Sequence, residues 1–160
     1  LDTLKKLASI KNIKGVKYTA PTHFNFSKIK KEISNDFKIY SGMDEMALSG
    51  IISGADGMIG SFYNLMPEMF VSLFGQLQKG DINEAKKIQE KINIIIVYAL
   101  EKSGYPFIKM GMNWLGIDSG YVRRPFVSIT DTDVENEIKK DLKILIKEND
   151  LSGIKFLEGL

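Results

Sequence analysis

Three short stretches of this chain hold residues able to do chemistry. In each, an extended run gives way to a turn or a helix. The first is 13-IKGVKYT-19, where Lys17 lies near the C-terminal end of an apolar, β-branched run. Strand alternation puts Ile13, Gly15, Lys17 and Thr19 on one face and Lys14, Val16 and Tyr18 on the other, with Gly15 leaving room beside the lysine. An amine there is either solvated at a strand end, its stem covering apolar surface, or desolvated and able to attack a carbonyl carbon. The second is 40-YSGMDEMALSG-50, where a strand ends at Gly42 and Asp44 and Glu45 open a helix. Acids in a first turn complement the helix dipole; they also accept hydrogen bonds from hydroxyl groups. Being adjacent, they do not share a helix face, so they reach different groups. The third is 54-GADGMIGSFYN-64, where Gly57 and Gly60 punctuate a strand and Ser61 offers a hydroxyl at its end. The glycines permit close packing of another strand or, at Gly60, approach of a ligand to the backbone. Neither GxGxxG nor a Walker pattern is present, which argues against a phosphate loop.

These residues act together only if the elements carrying them bring them to one edge. Helical spacing runs from Leu1 to Ile10 and an extended run from Ile13 to Thr19. A helix is predicted from Lys28 to Ser34, capped by Asn25 or Ser27, and a strand from Phe37 to Ser41. A helix from Met43 to Ser53 precedes a strand from Ala55 to Ser61. Pro67 opens a helix that Gly80 stops. Alternating strands and helices predict a parallel sheet with right-handed crossovers. In such a sheet Lys17, the Gly42–Glu45 segment and Ser61 all lie at the carboxyl edge, as one site built from three strand ends.

The second half reads as helix: Asp81 caps a helix to about Lys102, Tyr105 to Leu115 is another, and Asp131 or Thr132 starts a last one to about Lys147. Residues 120–129 are irregular. The resulting division is residues 1–78 as βα repeats, 79–147 as a helical extension and 148–160 as a tail expected to be disordered. Three parallel strands are few, and a closed eight-stranded barrel needs about 250 residues; the 160 residues look like part of something larger.

Composition narrows the function classes. A net charge of +2 is weak grounds for nucleic-acid binding, and all the basic residues except Arg123 and Arg124 are lysines scattered along the chain. There is no cysteine, so thiolate chemistry is excluded and a reducing, cytoplasmic compartment is expected. One histidine, His23, cannot build a histidine-rich metal site. The longest apolar run, residues 92–100, is too short for a membrane span and contains Asn93.

Taken together, GVKYT, SGMDE and GADGMIGSFYN resemble the second half of the N-acetylneuraminate lyases, in the aldolase superfamily that also holds dihydrodipicolinate synthase. The resemblance continues through 79-KGDINEAKKIQ-89 and 120-GYVRRPF-126 and covers about residues 1–147. It implies the C-terminal part of a TIM (β/α)8 barrel, strands six to eight with the C-terminal helices. It implies a class I aldolase that cleaves N-acetylneuraminate to N-acetylmannosamine and pyruvate. Lys17 would be the Schiff-base lysine, Thr19 would lie near the substrate, and Gly42, Asp44, Glu45 and Ser61 would hold the polyhydroxylated tail. No cofactor or metal is implied. Met43 departs from the aromatic often found between that glycine and the acid, and Phe62 replaces a common threonine; both bear on substrate preference. The family's carboxylate-binding loop and its proton-transfer tyrosine are not found, and Tyr18, Tyr40 and Tyr63 stand in other contexts. The expected partners are therefore a 2-keto acid or sialic acid, the missing N-terminal half-barrel and, when complete, further copies in a dimer or tetramer. Two alternatives stand beside this: a dihydrodipicolinate synthase-like or other 2-keto-acid aldolase, and a half-barrel inactive without its other half.

Overall fold

The computed structural model describes residues 1–160, which divide into two compact units, Leu1–Gly60 and Ser61–Leu160. The division expected after residue 78 follows the βα repeat; packing instead groups the helix after Pro67 with the helices that follow it.

The first unit alternates α1 (Asp2–Ala8), β1 (Gly15–Tyr18), α2 (Asn25–Glu32), β2 (Lys38–Ser41), α3 (Ala47–Ile52) and β3 (Gly57–Met58). The strands form a parallel sheet in the order β1-β2-β3. Gly15 pairs with Lys38, Lys17 with Tyr40, and Tyr40 with Gly57. Register in a parallel pair sets partners on the same face, so Lys17 and Tyr40 share one face while Tyr18 and Ser41 share the other. The second face is the apolar one: Phe26 and Ile29 of α2 pack with Phe37 and Ile39, and Leu4, Ala8, Val16 and Tyr18 close round them.

Except for α2, the elements of this unit are shorter than their sequence patterns. The third strand, expected over Ala55–Ser61, keeps a ladder only at Gly57 and Met58. Its start is taken over by Asp56, whose carboxylate accepts the Ile39 N–H at 2.8 Å and ion-pairs Lys30 at 2.6 Å, while glycine at two of its positions lowers strand preference. The helix expected from Met43 opens as a 3₁₀ turn, Asp44–Met46, before α3. Neither proposed cap of α2 acts as one. The helix starts at Asn25, whose amide donates to the Tyr18 hydroxyl at 2.9 Å, and Ser27 donates to the Phe24 carbonyl at 3.1 Å.

The second unit consists of α4 (Pro67–Gln78), α5 (Ile82–Lys102), α6 (Tyr105–Trp114) and α7 (Thr132–Asn149), preceded and followed by single 3₁₀ turns. Here the punctuation predicted the boundaries. Pro67 is the first residue of α4, Asp81 caps α5 by accepting the Glu84 N–H at 2.9 Å, and Asp131 caps α7. Gly80 holds φ at +80° between α4 and α5, a left-handed turn open to glycine. The α5 stripe Ile88, Ile92, Ile95, Ile96 and Ala99 is buried throughout. No helix is long and apolar enough to cross a membrane.

The tail differs from expectation. Leu151, Ile154, Phe156 and Leu157 are buried, the Lys155 N–H donates to Glu68 at 2.9 Å, and the Phe156 ring lies parallel to Trp114, 15° between planes. Four apolar side chains in seven residues suffice to dock it, although their spacing matches no regular helix or strand. Gly111 makes the seat: a Cβ there would stand 2.6 Å from Leu65 and 3.4 Å from Phe156.

Candidate active site

Each site residue of the first unit follows from a strand end. β1 delivers Lys17 onto the face of the sheet away from the helices, and Thr19, two residues on, faces the same way. Across from them β2 ends at Gly42, whose N–H donates to the Tyr18 carbonyl at 2.9 Å. A Cβ at Gly42 would strike the Thr19 hydroxyl oxygen and come within 2.8 Å of Lys17 Cε. Lys17, Thr19 and Gly42 thus form one contact group, and glycine is the residue that lets a lysine and a threonine lie side by side over the neighbouring strand. Gly15 was read as leaving room for the lysine. Its nearer constraint is β2, since a Cβ there would stand 2.5 Å from the Lys38 carbonyl oxygen.

The acidic pair separates as adjacency requires. Asp44 is buried and Glu45 half-buried within the 3₁₀ turn, and neither caps α3 with its side chain. The Asp44 carboxylate lies directly on Gly60: a Cβ at that glycine would overlap Asp44 Oδ1 and Cγ. Gly60 was expected to admit a ligand to the backbone; what it admits is the carboxylate of Asp44, which ties the second strand end to the third. Ser61 follows Gly60, is half-buried and opens the second unit, where its carbonyl accepts the Asn64 amide at 3.1 Å.

Of the two environments open to the lysine, this chain gives it the solvated one. Lys17, Thr19, Lys38 and Tyr40 are all exposed, because the face they share carries lysines, a threonine, a tyrosine and glycines rather than an apolar cover. Tyr40, set aside on sequence context, stands next to the lysine. It pairs in register with Lys17, and its ring lies 3.2 Å from where a Cβ of Gly57 would stand. The signal was available in the parallel register of the two strands, once their offset was known. Nothing groups three or more His, Asp or Glu side chains in a way that would hold a metal ion.

Behind the sheet a polar cluster holds the loop after β1. The Tyr18 hydroxyl meets Thr22 Oγ1 at 2.6 Å, and His23 Nδ1 meets Ser49 Oγ of α3 at 3.0 Å. His23 is 4% exposed, and burial pushes its imidazole below its ordinary value.

Consecutive βα units in a parallel sheet, with a lysine and an acidic pair at the carboxyl ends of adjacent strands, have the arrangement of part of a (β/α)8 barrel, with the candidate residues at the strands' carboxyl end. The chain matches the dihydrodipicolinate synthetase family over residues 1–145 and belongs to it. It is 34% identical to an N-acetylneuraminate lyase of Rhizobium meliloti (strain 1021) over 134 residues, 84% of this chain and 44% of the relative. An N-acetylneuraminate lyase of Fusobacterium nucleatum, solved with pyruvate, superposes with a TM-score of 0.76 at 33% identity, covering 88% of this chain and 48% of that one. A Clostridium difficile protein solved with mannosamine gives 0.79 at 28% identity, covering 90% and 49%. The chain therefore spans about half the length of the relatives it matches.

Proposed function

We propose that this chain carries the C-terminal half of the active site of a cytoplasmic class I aldolase that cleaves N-acetylneuraminate to N-acetylmannosamine and pyruvate. The observation that carries this reading is the contact group of Lys17, Thr19 and Gly42 at two adjacent strand ends, with Asp44 and Glu45 directly after the second. The similarity to lyases from Rhizobium and Fusobacterium supports it. In this mechanism the neutral Lys17 amine adds to the C2 carbonyl of the keto acid, and water leaves to give an iminium ion. The C4 hydroxyl then loses its proton, the C3–C4 bond breaks, and its electron pair moves into the enamine. N-acetylmannosamine departs as the aldehyde. Protonation at C3 and hydrolysis of the imine release pyruvate and restore the amine. Asp44, Glu45 and Ser61 accept or share hydrogen bonds with the sugar hydroxyls, and Thr19 lies beside the reacting carbons.

Activity is proposed for the protein completed by a counterpart of the other half of its relatives, working as a dimer or tetramer; the 160 residues alone are expected to be inactive. The exposure of Lys17 supports this, since the iminium needs an enclosed, water-poor site. The test is to incubate the complete protein with pyruvate and borohydride and map the adduct. Modification at Lys17 is expected; cleavage of substrate with Lys17 unmodified rules the assignment out. Assay against N-acetylneuraminate, 2-keto-3-deoxygluconate and aspartate semialdehyde then separates the lyase from other keto-acid aldolases. Turnover by the 160 residues without a second polypeptide would overturn the half-site reading.

A further inference from the structure

The covered side of the sheet holds two buried polar atoms with no hydrogen-bond partner, His23 Nε2 and Ser41 Oγ. They belong to neighbouring parts of one locus. Ser41 is fully buried at the end of β2, with its Cβ 2.5 Å from where a Cβ of Gly50 would stand, and His23 Cε1 lies 3.7 Å from the same point. Ser41 Oγ and the Cε1 corner of the ring, which carries Nε2, therefore lie against the same glycine. The other ring nitrogen of His23 is already engaged by Ser49 at 3.0 Å, and the ring stacks on Phe26 with centroids 5.0 Å apart. Around the ring stand Ser49, Phe26 and Gly50. Buried polar atoms in folded proteins are overwhelmingly paired, directly or through ordered water.

We infer that His23 is a positioning residue: its imidazole links Ser49 on α3 to Ser41 at the end of β2, one water bridging Nε2 and Ser41 Oγ. The elements joined in this way are those of the candidate site. His23 terminates the loop that carries Thr19, and its N–H donates to the Pro21 carbonyl at 2.9 Å. Ser41 immediately precedes Gly42, and Ser49 lies one turn beyond the Asp44–Met46 segment. The link therefore fixes the Thr19 loop, the Gly42 strand end and the acidic turn relative to one another from behind, without touching substrate. Its consequence for catalysis rests on the aldolase reading above.

Ser41→Ala in the complete protein is the discriminating variant, because it removes one oxygen and keeps the backbone and Cβ. If Ser41 Oγ were unpaired, its removal would leave stability unchanged or raise it, and that result would overturn the link. The link predicts a rise of roughly fivefold in the unfolding equilibrium constant, with a shift of the His23 imidazole ¹⁵N resonances. His23→Leu is expected to show coupling with Ser41→Ala in a double-mutant cycle, and His23→Gln to recover part of the loss; additive effects sink the proposal. Amide exchange is expected to rise together in residues 19–25 and 47–52 in both variants, and a rise in only one segment overturns the positioning role. In the sugar-acid assay KM should rise severalfold in Ser41→Ala while kcat changes little. If the wild-type protein traps no pyruvate at Lys17, the aldolase reading fails, and the exchange and stability results still decide this inference.

Discussion

The two units of this chain solve opposite problems with the same kinds of residue. In Ser61–Leu160 the apolar side chains form continuous helix stripes: Ile92, Ile95, Ile96 and Ala99 of α5 are buried, as are Phe107 of α6 and Leu142 of α7. In Leu1–Gly60 apolar burial is confined to one side of the sheet, round Phe26, Ile29, Phe37 and Ile39. The other side exposes Lys17, Thr19, Lys38 and Tyr40. Even the glycines differ in use. Gly111 in the helical unit admits apolar side chains, Leu65 and Phe156, whereas Gly42 and Gly60 admit the Thr19 hydroxyl, the stem of Lys17 and the Asp44 carboxylate. A unit that leaves one sheet face polar has kept that face for something other than its own core.

Substitutions can break or sharpen that contrast. Lys17→Arg keeps the charge but not a nucleophilic amine. It is expected to lower kcat/KM of the complete enzyme by on the order of 10⁴-fold or more and to abolish borohydride trapping, without lowering thermal stability. A large loss of stability would mean that the exposed face is structural after all. Ile95→Ala, in the other unit, should do the reverse. A fully buried isoleucine cut to alanine costs about 2–5 kcal/mol, read as a lower denaturation midpoint and faster amide exchange in α5 and α6. Gly60→Ala falls between the two. The added methyl displaces the Asp44 carboxylate, so KM for the sugar acid should rise about tenfold, equivalent to about 1.4 kcal/mol, while pyruvate trapping at Lys17 persists. Equal loss of both would place Gly60 in the chemistry of the amine rather than in the placement of Asp44.

The smallest effect is on pH dependence. Burial opposes ionisation of Asp56, but hydrogen bonds from Lys30, the Ile39 N–H and Lys38 outweigh it and hold the carboxyl below its ordinary value of 3.8. Its contribution to stability is present above that value and is lost as pH falls through the lower folded one. Burial also lowers the His23 pKa from its ordinary 6.5. The folded state therefore takes up that proton less readily than the unfolded chain, and stability falls as pH drops below 6.5 towards the folded value. Denaturation midpoints measured from pH 7 to pH 3 should decline in two steps. His23→Gln should remove the upper step, and Asp56→Asn should shrink the lower one, to which Glu135 and Asp141, also held below their ordinary values by hydrogen bonds from Lys139 and Lys102, contribute; a wild-type profile flat from pH 7 to pH 5 would contradict the burial of His23.

The helical unit was legible wherever a boundary had its own chemical mark, as at Pro67, Gly80, Asp81 and Asp131. The βα unit was legible in order but not in extent. Asp56 competes for the ladder with its side chain, Asn25 spends its amide on Tyr18 instead of a cap, and the acidic turn is 3₁₀ where helical spacing predicted a regular start. The first is a local preference overruled by a partner distant in sequence, Ile39 of the neighbouring strand. The docked tail belongs to the same class, since Leu151 to Leu157 show no period and gain their order from Trp114, Leu65 and Glu68.

By itself the sequence determined the succession of strands and helices, the alternation that sets Lys17 and Thr19 on one face, and the separation of Asp44 from Glu45. These follow from backbone periodicity, which is local. Tertiary structure alone decided that Tyr40 stands beside Lys17, that Gly42 and Gly60 are spaces kept for Thr19 and Asp44, and that His23 and Ser41 both lie against Gly50 behind the strand ends. Those facts depend on the register between strands and on which surface each helix covers, and both are fixed by packing between residues far apart in the chain.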